Sequence, residues 1–154
     1  MVRVYSRPEA VNSTTHALKT AANVLDLLQE YFGVPLNNEK QDFFAVPVMD
    51  GMPASGQGLT FMPEEDLLVN PTTGTVEQKV KVARALINQL SRQWFGNLVT
   101  PSDWHALWLN EAFANYMEYF LLGKLYENEI DAGGALLRMI KTVIGEEKFQ
   151  KGVQ

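Results

Sequence analysis

Three polar residues near the middle of the chain stand at a spacing that can support metal chemistry. Asn88 and Arg92 are four positions apart in the stretch INQLSRQWFGN, and Gln89 lies between them. On a helix, side chains four positions apart share one face, so such a pair can hold a metal ion while a residue between them acts on metal-bound water. The stretch is therefore a metal site, an altered metal site or an ordinary polar helix face.

The residue types argue against a working metal site. The amide of Asn88 is a weak ligand, and the guanidinium of Arg92 is a permanent cation with no lone pair to give. Gln89 cannot accept a proton from water as a glutamate would. The chain contains no cysteine and only two histidines, His16 and His105, and neither has a second ligand at metal-binding spacing. We therefore expect no bound metal ion and no cofactor.

A helix from Val76 to about Trp94 must position these residues. Thr75 and Gln78 form a capping-box pattern at its start. Its apolar stripe consists of Ala83, Leu86, Ile87, Leu90 and Trp94. Its opposite side carries Lys81, Arg84, Asn88 and Arg92. The simplest alternative to an altered metal site is therefore a solvated basic helix face, which would repel a divalent cation.

Two strands and a first helix are predicted before this segment. A helix from Thr14 to Phe32 shows apolar residues at helical spacing and ends at Gly33. Residues 42–48 and 58–62 have the composition of strands, and the glycine-containing loop between them favours an antiparallel pair. With a short strand at residues 2–6, the pattern predicts a helix-dominated α+β fold with a small antiparallel sheet.

A mostly apolar helix is predicted from residue 104 to about residue 122. Because it is apolar nearly all round, we expect it to be buried. Aromatic residues near it and near the preceding helix are expected to pack in the core, namely Trp94, Phe95, Trp104 and Trp108. A further helix is predicted over residues 133–145, and the chain stops soon after it begins another helical segment.

Length and charge restrict the class of protein. A chain of 154 residues with 46% hydrophobic residues is long enough for one domain with a buried core. Its net charge of −5 argues against a nucleic-acid-binding protein, which needs a positive surface for phosphates. No apolar run has the length of a membrane span, and the first residues lack the apolar core of a signal peptide.

Two motifs resemble a known family. The stretch QWFGNLVT at 93–100 and the stretch WLNEAFANYMEY at 108–119 are similar to the aminopeptidase N-like family of gluzincin zinc aminopeptidases. In that family a glutamate within Trp-Leu-Asn-Glu, nineteen positions beyond the second histidine of the metal motif, is the third zinc ligand. The residue nineteen positions beyond Arg92 is Glu111, inside WLNE.

The resemblance covers nearly the whole chain and implies a thermolysin-like catalytic domain. Residues 1–154 would form one truncated domain of this kind. Residues 1–75 would be its sheet-containing part with the first helix, and 76–122 its zinc-site helix pair, adjacent and antiparallel. Residues 123–154 would be a shortened linker and the start of the following helices. We expect a fragment of a longer parent, cell-surface or secreted by the same resemblance.

Most functional positions of the family are substituted in this chain. Asn88 and Arg92 stand where the resemblance implies histidine ligands, and Gln89 stands where it implies the catalytic glutamate. Ser55 replaces the glutamate that binds a substrate's amino terminus, and Ile130 replaces the tyrosine that stabilises the transition state. Only Glu111 keeps the family residue. The substitutions predict an inactive relative, a pseudoenzyme that has lost its zinc site, with an Arg92–Glu111 ion pair where zinc would sit.

Three functions remain open from the sequence. The first is an interaction module for a protein or for an extended peptide, which could add to the edge of the strand at 58–62. The second is a divergent but active zinc aminopeptidase that removes amino-terminal residues from peptides. The third is a truncated fragment without independent function, prone to self-association through exposed packing surfaces.

Overall fold

The computed structural model describes residues 1–36, 39–51 and 53–126. The strands are β1 (Val2–Tyr5), β2 (Gln41–Val46), β3 (Ala54–Gly56) and β4 (Leu59–Pro63). The α-helices are α1 (Thr15–Phe32), α2 (Glu64–Leu67), α3 (Val76–Ser91) and α4 (Leu107–Leu125). Short 3-10 helices at Pro8–Thr14 and Trp104–Ala106 precede α1 and α4. Ile130 and the helix predicted at residues 133–145 lie outside the described residues.

The sheet is mixed, so the prediction of an antiparallel sheet is wrong. Its strand order is β1-β2-β4-β3, in which β1–β2 and β2–β4 are parallel and only β3–β4 is antiparallel. The chain leaves β2, forms β3 at the far edge, and returns through a turn at Gln57 and Gly58 to place β4 between β2 and β3. Gly58 has a φ of 70°, a conformation that glycine adopts without steric cost. This extra strand reverses the expected direction of β4.

Two of the predicted helix ends are confirmed. The first helix ends at Gly33, which has a φ of 64° and donates its N–H to the carbonyl of Gln29. At the start of α3, the Thr75 hydroxyl accepts a hydrogen bond from the Gln78 N–H at 3.1 Å. Local capping chemistry therefore fixes the positions of α1 and α3 along the chain.

One cluster of buried side chains joins the sheet to α1 and α3. Phe43 of β2 and Met62 of β4 are fully buried in this cluster. The predicted apolar stripe of α3 is confirmed, since all of its members are buried: Ala83, Leu86, Ile87, Leu90 and Trp94. The opposite face of the sheet carries a row of contacting aromatic rings, Tyr5, Phe44 and Phe61. The packed core therefore holds the last turn of α3 against the sheet.

Helix α4 is not buried on all sides, contrary to the prediction. Its buried side chains are Ala114, Met117 and Leu121. Several large apolar residues at or near its start are exposed, namely Leu107, Trp108 and Leu109. The described residues cover the side of α4 that faces α3, which explains why only that side is buried. None of the helices in the described ranges is long and apolar enough to cross a membrane.

Candidate functional site

A row of polar side chains, which we call the polar seam, joins α3 to α4. Its members are Arg84 with Glu118, Asn88 with Asn115, and Arg92 with Glu111. As the residue number increases along α3, the residue number of the partner on α4 decreases, so the two helices are antiparallel, as predicted. The seam therefore sets the register between the helix that carries Asn88 and Arg92 and the helix that carries WLNE.

The ion pair between Arg92 and Glu111 is present. The Arg92 Nη1 and Nη2 atoms donate to the Glu111 Oε1 and Oε2 atoms, each at 2.6 Å. The Arg92 Nε atom donates to the Asn88 Oδ1 atom at 3.1 Å. The side chains are 25% and 44% exposed, so water partly screens the pair. Planar bidentate pairing of this kind fixes geometry more firmly than a single contact does.

The alternative of a solvated basic helix face is wrong for most of its members. Arg84, Asn88 and Arg92 are partly buried because they face α4 across the polar seam. Lys81 is exposed, and its amine donates to an Asp66 carboxylate oxygen at 2.8 Å. This hydrogen bond raises the pKa of Lys81 above its ordinary value. A helical wheel cannot distinguish a solvated polar face from one that meets a polar partner.

Gln89 lies behind the seam and carries an unpaired atom. Its side-chain nitrogen donates to the Asn88 Oδ1 atom at 3.2 Å, whereas its Oε1 atom is buried without a hydrogen-bond partner. The residue is only 5% exposed. A buried acceptor without a partner costs about 1–3 kcal/mol in desolvation.

Replacing Gln89 with methionine is therefore expected to stabilise the protein. Gln89→Met keeps the side-chain length and removes the unpaired acceptor, so the free energy of unfolding should rise by about 1 kcal/mol. Urea denaturation of the purified chain measures this change, with Gln78→Met as a matched control on the same helix. A loss of stability in Gln89→Met of the same size would show that the amide contributes more than its one hydrogen bond.

A cleft of about 580 Å³ lies between β3 and the amino-terminal part of α4. Ser55, Arg92 and Glu111 all line it, so the structure brings together three of the residues singled out from the sequence. Asn110 also lines the cleft. The apolar wall of the cleft consists of Phe95, Trp104 and Leu107. Asn88 and Gln89 connect to it through Arg92, whereas Ile130 lies outside the described residues.

The aromatic residues near the cleft divide into two groups. Trp94 is 3% exposed and its indole N–H donates to the Val34 carbonyl at 3.0 Å, and the Phe95 ring stacks on Phe113. Packing is therefore confirmed for this pair. It is wrong for Trp104 and Trp108, which are 85% and 66% exposed. Trp104 follows a polar loop and forms part of the wall of the cleft instead of entering the core.

Sequence reasoning missed three residues of this region. Asn115 and Glu118 complete the polar seam, and Gln93 binds β3 behind the cleft. The sequence spacing could have indicated Asn115 and Glu118, because they follow Glu111 by four and seven positions and so lie on the same helix face. Gln93 follows Gln89 by four positions, which places both amides on the buried side of α3 and its extension.

A sequence profile of the peptidase family M1 domain matches residues 16–132, which is most of the chain. The chain belongs to peptidase family M1. The family assignment made from QWFGN and WLNE is confirmed, and a helix-rich chain with a small mixed sheet is consistent with it.

Curated M1 relatives match nearly the whole chain or its larger part. Human endoplasmic reticulum aminopeptidase 2 is 29% identical over 99% of this chain, and the mouse endoplasmic reticulum aminopeptidase 1 is 36% identical over 77% of it. Rat thyrotropin-releasing hormone-degrading ectoenzyme is 28% identical over the full chain. The matched region spans 20%, 13% and 19% of these relatives' own lengths. The name of the ectoenzyme is consistent with the expectation of a cell-surface parent, whereas the other two names place those relatives in the endoplasmic reticulum.

Membership in this family contradicts two predictions made from the sequence. The chain was expected not to be an enzyme and to use no cofactor. The family is a peptidase family, the relatives are named as aminopeptidases or as a degrading enzyme, and M1 relatives are zinc enzymes. Both predictions are therefore wrong at the level of the family. The described residues contain no cluster of histidine, cysteine, aspartate and glutamate that could hold a metal, and this is not evidence that zinc binding was lost.

The residues at the aligned positions do not fit a zinc ion in their present arrangement. Arg92 supplies no lone pair, and both carboxylate oxygens of Glu111 accept hydrogen bonds from it. The side-chain Oδ1 atom of Asn88 accepts hydrogen bonds from the Arg92 and Gln89 side chains. No reaction step through a metal is therefore derived from these three residues.

Proposed function

We propose that the cleft binds an extended peptide segment, which lies along β3 and faces α4. The observation that carries the proposal is the position of Ser55, which belongs to the edge strand β3 and lines the cleft. Peptides commonly bind by adding a strand to such an edge. The edge predicted from the sequence was that of β4, but β3 pairs with that edge, so in the described part of the sheet the open edge belongs to β3.

The backbone of Ser55 points toward the open edge. The Asp42 N–H donates to the Gly58 carbonyl at 3.0 Å, so Gly58 faces β2. Because successive residues of a strand face opposite neighbours, Leu59 faces β3 and pairs there with Gly56. The N–H and C=O of Ser55 then face away from β4. They are the donor and the acceptor that an added strand would pair with.

The lining of the cleft suits a peptide. Its volume of about 580 Å³ is in the range of ordinary ligand sites. Phe95, Trp104 and Leu107 provide an apolar wall for side chains, and the amide of Asn110 offers a donor and an acceptor for a peptide backbone. Relatives named as aminopeptidases support a peptide as the ligand.

The proposal predicts that Ser55→Pro weakens peptide binding about tenfold. Proline removes the outward N–H, and an edge strand tolerates proline better than a central strand does. Ser55→Ala keeps the N–H and should weaken binding by no more than about threefold, since a lost neutral hydrogen bond has a modest effect. Fluorescence anisotropy with a labelled, acetylated octapeptide of alternating leucine and serine measures both changes.

Thermal unfolding of each variant serves as the control for folding. Equal affinities of folded Ser55→Pro and wild-type protein would refute binding along β3. An acetylated peptide is used because the described part of the cleft offers no carboxylate on β3 to bind a free amino terminus. Two carboxylates line the cleft elsewhere: that of Glu111 accepts from Arg92, and that of Asp103 accepts from the His105 N–H.

The family match favours hydrolysis of peptides as a second function. Cleavage of an amino-acid anilide that a chelator abolishes, together with about one zinc per chain by elemental analysis, would support it. Zinc far below one equivalent without turnover would reject it. Peptide binding in the cleft is compatible with either result, because binding precedes any cleavage.

A further inference from the structure

The side chain of Gln93 makes four hydrogen bonds behind the cleft, two of them to residues that line it, Ser55 and Asn97. Its Nε2 atom donates to the Ser55 Oγ atom at 3.2 Å and to the Gly56 carbonyl at 3.1 Å. Its Oε1 atom accepts from the Gly58 N–H at 3.2 Å and from the Asn97 Nδ2 atom at 3.1 Å. A primary amide has two donors and two acceptor positions, so the capacity of this side chain is fully used.

The burial of Gln93 means that losing these hydrogen bonds would destabilise the protein. The residue is 1% exposed, and a buried amide without partners would be costly. The contacts extend into the sheet, since the Ser55 hydroxyl lies 3.2 Å from that of Thr60, which accepts from Gln41 at 3.1 Å. A continuous, partly buried network therefore links the end of α3 to β2, β3 and β4.

Strand β3 needs such support. It has three residues and, among the described strands, pairs with one neighbour, β4. A short strand with one partner has few hydrogen bonds of its own and is marginally stable. Gln93 follows Arg92 directly, so the residue that fixes β3 is adjacent to the residue that forms the opposite side of the cleft with Glu111.

We infer that Gln93 is a positioning residue that fixes β3 and the β3–β4 turn against the end of α3, and so holds the wall along which the peptide binds. The inference rests on the proposed function, which it deepens. Gln93 does not line the cleft among the described residues and acts through Ser55, Gly56 and Gly58.

The exchange rate of the Gly58 amide reports this role directly. In Gln93→Met the Gly58 N–H loses its acceptor, and its exchange with solvent is expected to become at least about tenfold faster. Gln93→Glu retains an oxygen acceptor for that N–H but loses the donors to Ser55 and to the Gly56 carbonyl, so only part of the protection should return. Gln78→Met on α3 is the matched control and should leave Gly58 exchange unchanged. Two-dimensional NMR of the full 154-residue chain measures all four proteins.

Peptide affinity is measured on the same proteins with the labelled acetylated octapeptide. Gln93→Met is expected to weaken binding about tenfold, Gln93→Glu less, and Gln78→Met not at all. If Gln93→Met does not fold, Ser55→Ala removes one contact of the same amide, and a smaller acceleration of Gly58 exchange is expected there.

The two failures are distinguishable. Unchanged Gly58 exchange in Gln93→Met, or faster exchange with undiminished peptide affinity, would overturn the positioning role while leaving the proposed function in place. If the wild-type chain binds no peptide, the proposed function fails and with it the role of Gln93 in binding. Gly58 exchange would then decide only whether Gln93 anchors β3.

Discussion

Trp94→Ala is expected to lower the free energy of unfolding by about 4 kcal/mol, the largest effect of any substitution considered. Trp94 is 3% exposed, and the centroids of its ring and the Phe32 ring are 5.3 Å apart. Its removal leaves a cavity where α1 meets the end of α3, and it deprives the Val34 carbonyl of its donor. Chemical denaturation followed by circular dichroism measures the loss.

Two further tryptophan variants test the explanation. Trp94→Phe keeps a ring in the core and removes the N–H, so a smaller loss of about 1–2 kcal/mol is expected. Trp104→Ala removes the same side chain from a position that is 85% exposed, and stability should change by less than about 0.5 kcal/mol. Similar losses for Trp94→Ala and Trp104→Ala would contradict the assignment of Trp94 to the core and Trp104 to the cleft.

Arg92→Met is expected to lower the free energy of unfolding by about 2 kcal/mol. The substitution leaves the Glu111 carboxylate without its two charge-assisted hydrogen bonds and removes a donor to Asn88. The effect is smaller than for a fully buried pair, because the Glu111 side chain is 44% exposed. Urea denaturation at low salt measures it.

A double-mutant cycle isolates the contribution of the pair. Arg92→Met and Glu111→Gln, alone and together, should give a coupling free energy of about 1 kcal/mol. Lys79→Met changes an exposed cation on the same helix and is expected to alter stability by less than about 0.5 kcal/mol. A coupling free energy near zero would mean that the two side chains meet without stabilising the contact between α3 and α4.

Helix positions could be predicted from the sequence because their signals are local. Gly33 ends α1 and Thr75 begins α3 through contacts within one turn of each residue. Strand direction could not be predicted in the same way. It depends on β3, whose three residues, Ala-Ser-Gly, have little intrinsic preference for a strand. That segment forms a strand because β4 and Gln93 hold it, and both contacts are tertiary.

One contact of the candidate site was predictable, through the resemblance to the family. The nineteen-residue separation of Arg92 and Glu111, read against the family pattern, predicted their contact, and the ion pair is there. The solvation of Arg84 and Asn88 could not be predicted, because a polar face meets water or a polar partner with the same sequence pattern. The exposure of Trp104 likewise depends on where the preceding loop places the side chain. The apolar character of a tryptophan does not by itself decide whether it is buried.

The side chains of the cleft and the family assignment point to different functions. M1 relatives are zinc enzymes, whereas the side chains of Asn88, Arg92 and Glu111 form a hydrogen-bonded network that includes an ion pair. Peptide binding requires neither a metal nor a general base, since it depends on the open edge of β3 and on the wall opposite. It is therefore the function that can be tested first and independently of catalysis.

Amide exchange of the 154-residue chain, with and without saturating acetylated octapeptide, tests the central claim most directly. If the peptide adds to β3, the outward N–H of Ser55 gains an acceptor, and its exchange should slow at least about tenfold. Amides in the middle of α1, remote from the cleft, should be unaffected. Protection that appears elsewhere while Ser55 exchanges at its free rate, or no protection at all, would contradict the claim that this cleft binds an extended peptide.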